Sequence, residues 1–514
     1  MKTLDNLMFY LLLISCTSIQ AMNKYIAKNG NDNNAGTKKA PYLNIQKGLN
    51  IAKSGDTVFV KTGTYQEFVQ FPTSGRIGNP IVLKNFNNDI VTIDAQNIRE
   101  FCIFAIDKSN LVMDGINIQN SKDYNLRIEG CDNIIIKNVM CHLPVSNVFG
   151  STGAKGIVLS SSKTKYGRNI TLQNINAIGG QYGILMGSRL DNVNIIGGRY
   201  SYASIDGINM QITSKAECTS QFNRNIIIDG VIIDHNLRQG MVTMGLEHAT
   251  FKNFWSHHNN ASGLQIENYS TDILIENFIC ENNSLGGGYE AGLWIDDSAN
   301  VTVREGILRN NQCGLRVSNS QNILAYNLLI YSNNYTKTPT DFSNNSAGIS
   351  FYSNILMPPI NNIYDCHVEL YNSVIYDNSN RYSQRGTVDL EGGGKYILKN
   401  NIIAYDQSTS VIYRTGKHKL ISDYNLIYKI KEVNINHYNK ISSKYSGNKQ
   451  ISTYFALTGQ DLHSLNADPQ FTDPTSGNFK LQLTSPALKA GVNVGLNFNY
   501  HEYPINGRPN IGVN

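Results

Sequence analysis

Glu267, Asp296 and Asp297 are the residues of this chain best suited to chemistry, because each closes the same short phrase in the sequence. "GLQIEN" at 263–268, "GLWIDD" at 292–297 and "GLRVSN" at 314–319 align residue for residue. Successive side chains of a strand face opposite sides. With the aliphatic first and third places after each Gly turned inward, the second and fourth face outward. Those outward places hold Gln265 and Glu267, then Trp294 and Asp296, then Arg316. Stacked as neighbouring strands about 4.8 Å apart, the phrases would bring the Glu267 and Asp296 carboxyls within a few ångströms of each other. Two carboxyls that close need a cation between them or a raised pKa on one. Glu267, Asp296 and Asp297 offer the hard oxygen ligands that suit Ca2+. The plainer alternative is a set of solvated acids, paired with Arg316 and of little energetic weight.

Other residues could serve such a site. Trp294 is a large aromatic on an outer face, where it needs either a cover or a ligand. A stacked sugar ring is one answer, with Gln265 and Asn209 of the same outward column as polar contacts. The Gly-rich stretch "NNSLGGGYEA" at 282–291 is the other answer, as a cover or a lid. Candidates for moving a proton are Arg316 and two histidines in one column beside a turn, His235 and His258. A turn histidine is more often solvated than catalytic. Asp206, just before Gly207, is a weaker candidate.

Those places are defined by a repeat. Gly156, Gly183, Gly207, Gly240, Gly263, Gly292, Gly314 and Gly348 each open a short aliphatic strand, and a second strand type lies between them, as in "DILIENFICENN" and "NVTVREGILRNN". A unit of about two dozen residues cannot bury its apolar side alone, so copies must stack, each strand pairing with its equivalent one turn on. The expected fold is all-β, a parallel β-helix. Asn236, Asn259, Asn283, Asn311 and Asn333 recur at one point after the second strand. Asn suits turns, and stacked amides can form a ladder along the axis.

Composition fits that reading. Asn is abundant, Pro is scarce and 16% of residues are charged. A net charge of +5 is too mild for a nucleic-acid surface. The cysteines beyond Cys16 show no metal-ligand spacing and no disulfide framework. Residues 1–21 have the layout of a secretory leader, with two competing ends: a lipoprotein-type signal that leaves Cys16 lipidated, or cleavage after Ala21. Residues 22–92 read as an N-terminal cap and first coils, 93–430 as the coils proper, and 431–514 as final coils with an irregular C-terminal cap. The N-terminal cap includes a helix with Ile45, Leu49 and Ala52 on one face, followed by Gly55 and a strand.

The opening "YIAKNGNDNNAGTKKAPYLNIQKGLNIAKSGDTVFVKTGTYQE" resembles the start of right-handed parallel β-helix proteins of the pectate-lyase-like superfamily, the family-nine polysaccharide lyases above all. The ending "ADPQFTDPTSGNFKLQLTSPALKAGV" is similar to the tail of secreted bacterial β-helix proteins. The resemblance implies a right-handed solenoid and a polysaccharide ligand, in an exported protein that is secreted, periplasmic or held at the cell surface. Three functions stay open. A lyase would cleave a uronic-acid polymer by β-elimination with bound Ca2+. A glycoside hydrolase would use paired carboxyls, and a non-catalytic module would bind glycans. Family-nine lyases pair an aspartate-rich calcium cluster with a lysine base; no lysine holds an outward place in these three coils, and Asp296-Asp297 matches that cluster only in part. No nucleotide, haem or flavin motif is present. A monomer is expected.

Overall fold

The computed structural model describes residues 22–151, 153–210, 222–284, 290–333, 347–353, 366–378, 387–406, 412–415, 418–430, 432–437, 441–446, 459–500, 503–505 and 507–513. The leader with Cys16, as well as Cys218 and the Gly-rich residues 285–289, lie outside them.

Two long sheets run the length of the molecule, one with 23 strands and one with 15, parallel throughout except for the last pair of the second, Glu432–His437 with Ile441–Ser446. One coil contributes a short strand to the second sheet, such as Leu264–Glu267, and then a long strand to the first, such as Thr271–Glu281. The long strands are broken near their middle by a left-handed residue, as at Asn253, Asn277, Glu305 and Asn327. Asn tolerates that conformation better than most residues, which is one source of its abundance. The break turns the chain and divides the first sheet into two legs.

The apolar side chains face one continuous interior. Leu264, Ile266, Leu293, Ile295, Leu315 and Val317 are fully buried along the short sheet, and Ile273, Ile275, Val301, Val303, Ile323 and Ala325 close the opposite wall. The described cysteines are all buried and none is joined in a disulfide.

Register is fixed by the buried asparagines. Asn236 Nδ2 donates to Asn259 Oδ1 at 2.9 Å, Asn259 to Asn283 at 2.9 Å, Asn311 to Asn333 at 3.0 Å and Asn333 to Asn378 at 2.9 Å. The Asn283–Asn311 rung is made by the Asn283 backbone N–H, which donates to Asn311 Oδ1 at 2.9 Å. Each Nδ2 also reaches a main-chain carbonyl, such as Asn283 to Ser256 at 2.9 Å. These buried amides therefore leave little hydrogen-bonding capacity unused, which is the condition for keeping polar groups inside. Successive rungs are separated by 23, 24, 28, 22 and 45 residues. Insertions thus leave the turn without disturbing the ladder.

Helix Ile45–Ile51 covers the start of the stack with Ile45, Gly48 and Leu49 buried, and Gly55 beyond it adopts a φ of 90°. At the other end Asn425 Nδ2 donates to Asp461 Oδ1 at 3.0 Å, closing a second ladder begun at Asn401. The C-terminal segment does more than the irregular cap expected. Phe471, Phe479, Leu481, Ala487, Ile511 and Val513 pack against Leu329, Val374, Ile402 and Leu426, so the tail doubles back along the flank of the coils.

Candidate functional site

The outer face of the short sheet gathers most of the residues singled out above. Leu264 pairs with Leu293, Gln265 with Trp294 and Ile266 with Ile295, so the next step in register sets Glu267 beside Asp296. In the following coil Trp294 pairs with Arg316 and Asp296 with Ser318. The expected stacking therefore holds.

Glu267 is half-buried, and its carboxyl is pushed up to about 7 by burial and by the Asp296 charge, with Arg238 opposing. Gln265 Nε2 donates to Glu267 Oε2 at 2.7 Å, and Gln239 Nε2 donates to Gln265 Oε1 at 2.8 Å. Gln265 is therefore a buried link that orients the acid. The Asp296 carboxyl is also raised, chiefly by burial, with Ser318 and Arg316 opposing. Its Oδ1 is buried and accepts no hydrogen bond from the described residues. Asp297 follows at the turn with a φ of 43°, its carbonyl accepting from the Tyr269 N–H at 2.9 Å.

Trp294 is half-buried against Ala291, Cys313 and Ala347. The Arg316 guanidinium lies 5.0 Å from its ring centre, and the indole N–H donates to Ser318 Oγ at 2.8 Å. A protein cation already covers one face of this aromatic. Arg316 is itself 8% exposed, so it forms a wall of the site rather than a solvated arm.

Two assignments change with the coordinates. Asn209, expected to touch a sugar, is fully buried and donates its amide to Asp206 Oδ2 at 2.6 Å. It orders Asp206, whose carboxyl is gripped by Arg238 Nε and Nη2 at 2.8 and 2.6 Å. His235 and His258 do not stand in this row. They sit at left-handed turn positions that follow the strands Ile232–Asp234 and Trp255–His257 of the first sheet, with rings stacked 5.1 Å apart. The charges that act most on Glu267 are those of Asp296, Arg238, Glu290 and Asp206, whereas those on neighbouring His257 are Asp234, His258, His235 and Glu281. The histidines belong to a different cluster.

Arg238, Gln239, Ser262 and Glu290 were missed because they precede the strand-opening Gly. Ser262 Oγ donates to Glu290 Oε2 at 2.5 Å, and Arg238 and Gln239 reach Asp206 and Gln265 as above. Their signal lies at the one or two places before each Gly, where the turn bends over the outer face.

Residues 24–179 match the Pel9A-like right-handed β-helix region. The chain folds as a right-handed parallel β-helix, and its first coils carry that match. Over 481 residues it is 23% identical to the uncharacterized protein YwoF of Bacillus subtilis, covering 90% of this chain and 91% of that protein. A stretch of 83 residues is 31% identical to the pectate lyase PEL9 of Emericella nidulans, covering 16% of this chain and 20% of that protein. Among solved structures, XylC in complex with xylose superposes with a TM-score of 0.47 at 11% identity, over 96% of this chain and 98% of that one.

Proposed function

We propose that this chain is an exported carbohydrate-active enzyme that hydrolyses a glycosidic bond with Glu267 and Asp296 as its carboxyl pair. The observation that carries this reading is the Glu267 carboxyl, which holds its proton up to about pH 7 beside a second carboxyl in the next coil. A general acid must be protonated at working pH, and burial next to a like charge supplies that condition. Glu267 donates its proton to the leaving oxygen. Asp296, on the neighbouring strand, is the second carboxyl of the pair, and water completes the hydrolysis. Gln265 holds Glu267 in place, and the Arg316-covered Trp294 supplies a flat wall for the sugar. The stretch similar to a pectate lyase supports a polysaccharide as the substrate class. A monomer, either lipidated at Cys16 or released after Ala21, completes the reading.

A second reading, calcium-assisted β-elimination on a uronic-acid polymer, is favoured by one feature. Asp296 Oδ1 is buried without a hydrogen-bond donor, and Glu267 and Asp297 are the carboxylates that would complete an oxygen donor set of the kind Ca2+ takes, although among the described residues these three are not a group whose ligand atoms converge. Glu267, Asp296 and Asp297 would hold the ion, and its charge would neutralise the uronate carboxylate. Elimination also needs an unprotonated base. Arg316 is the basic residue in the outward row of these three coils, and its guanidinium lies against Trp294. Hydrolysis is therefore preferred.

The test is a panel of neutral and uronic-acid polysaccharides followed for both reducing ends and the ultraviolet absorbance of unsaturated uronides. Reducing ends without that absorbance, lost in Glu267→Gln, are the expected outcome. Absorbance abolished by a chelator would replace hydrolysis with elimination. Saturable binding to a polymer of the panel without turnover would overturn both in favour of a glycan-binding module.

A further inference from the structure

A second cluster lies on the first sheet, at the end of its second leg. Register pairs Ser201 with Asp234, Asp234 with His257 and His257 with Glu281, so four coils place their last outward side chain in one row. Beside that row, His235 and His258 have φ values of 55° and 54°. Neighbours in a regular strand face opposite sides, whereas a left-handed residue swings its side chain back. That conformation lets consecutive residues Asp234 and His235 point to the same spot. A non-Gly residue is held there only when its surroundings determine it.

The polar atoms converge. His235 Nδ1 lies 2.5 Å from Asp234 Oδ2, and one ligand atom each from Asp234, His235 and His257 fall within 4.8 Å of one another. His258 Nδ1 lies 2.9 Å from His257 Nδ1. Asp234 is fully buried and fixed by Arg199, whose Nε and Nη2 each donate at 2.7 Å. His257 is 8% exposed and lies under Trp255, their ring centres 4.1 Å apart. The His235 side chain is 40% exposed and leaves the cluster open to solvent on one side.

We propose that Asp234, His235 and His257 form a binding site for a divalent transition metal, with Zn2+ as the ion they fit and one coordination position open to solvent. Two imidazoles and one carboxylate are a donor set for Zn2+ and its neighbours rather than for Ca2+ or Mg2+, which take oxygen. With Zn–N and Zn–O bonds of about 2.0–2.2 Å, tetrahedral ligand atoms lie roughly 3.4 Å apart. His235 therefore opens from its Asp234 hydrogen bond by about 1 Å, and its exposed side leaves room for that. Arg199 plays the outer-shell part of orienting the carboxylate. His258 Nδ1, 2.9 Å from His257 Nδ1, helps to orient that imidazole. This site is separate from the carboxyl pair and does not depend on the reaction assigned to it.

The experiment is a titration of tag-free, chelator-treated protein with Zn2+ by calorimetry, repeated with Co2+ to read the visible bands of a tetrahedral ion. One saturable Zn2+ per chain is expected, with affinity reduced at least about tenfold in His235→Ala and about 100-fold in His257→Ala, and unchanged in Glu267→Gln. Circular dichroism establishes that each variant is folded; if His257→Ala is not, the exposed His235→Ala carries the test. No saturable uptake by the wild type, or unchanged uptake in folded His235→Ala, would overturn the site.

Discussion

The two clusters answer one electrostatic problem in opposite ways. Asp234 and Glu267 both sit at the end of a solenoid strand, facing outward, and burial pushes both carboxyls up. Asp234 is the more buried by exposed surface, yet it is held below the ordinary carboxylate range, because the hydrogen bonds from Arg199 and His235 outweigh desolvation. Glu267 has one neutral donor, Gln265, and a second carboxyl as neighbour, so it is pushed up to about 7. Partners rather than depth decide whether a buried acid stays charged. Asp234 is kept charged by partners of its own chain, as a carboxylate that can also serve as a ligand must be, whereas Glu267 is left short of positive charge, which is the condition of an acid that keeps a proton.

The sharpest way to break that contrast is to remove the pair. Glu267→Gln and Asp296→Asn are each expected to lower turnover by about 10²–10⁴-fold, the usual weight of a proton-transfer group, measured as reducing-end release on the responsive polymer. In the wild type the rate should fall as pH rises through about 7, where Glu267 loses its proton. A rate that rises there would show that the group acts as a base.

Stability tells the two regions apart next. Arg199→Ala leaves Asp234 buried without its main partner and is expected to cost about 3 kcal/mol in denaturant unfolding at neutral pH. A loss under about 1 kcal/mol would mean that the histidines or a bound ion already neutralise Asp234.

The smallest effect concerns the pH dependence of folding. The folded chain binds the Glu267 proton more tightly than the unfolded chain does, so this group's contribution to stability declines as pH rises from the ordinary carboxylate range to about 7, then levels off. Glu267→Gln is therefore expected to stabilise the protein by about 2 kcal/mol near pH 8 and by almost nothing near pH 4. Added Ca2+ that removes the difference would point to an ion between the carboxyls.

Much of the architecture was legible because the solenoid is periodic in sequence as well as in space. The column from Asn236 to Asn333 became a buried ladder, and the outward places of "GLQIEN", "GLWIDD" and "GLRVSN" became one row. Strand alternation is local, so it survives translation into structure without knowledge of the loops. Contacts that depend on a turn did not survive in this way. Arg238 and Gln239 enter the site from before a strand, and His235 and His258, one column in sequence, belong to another sheet than Glu267. The C-terminal segment reads as a cap, but Phe471 and Phe479 cover a flank that no local pattern marks.

The sequence by itself determined the repeat, the inward aliphatic and outward polar sets and the asparagine column, all consequences of a two-residue alternation inside a coil of nearly constant length. The tertiary structure alone decided the ionisation and the company of the outward residues. It set Arg238 on Asp206 and Arg316 on Trp294, buried Asn209, and turned His235 back onto Asp234 through a left-handed φ. Those outcomes depend on desolvation and on neighbours one coil away, and both exist only once the coils are stacked.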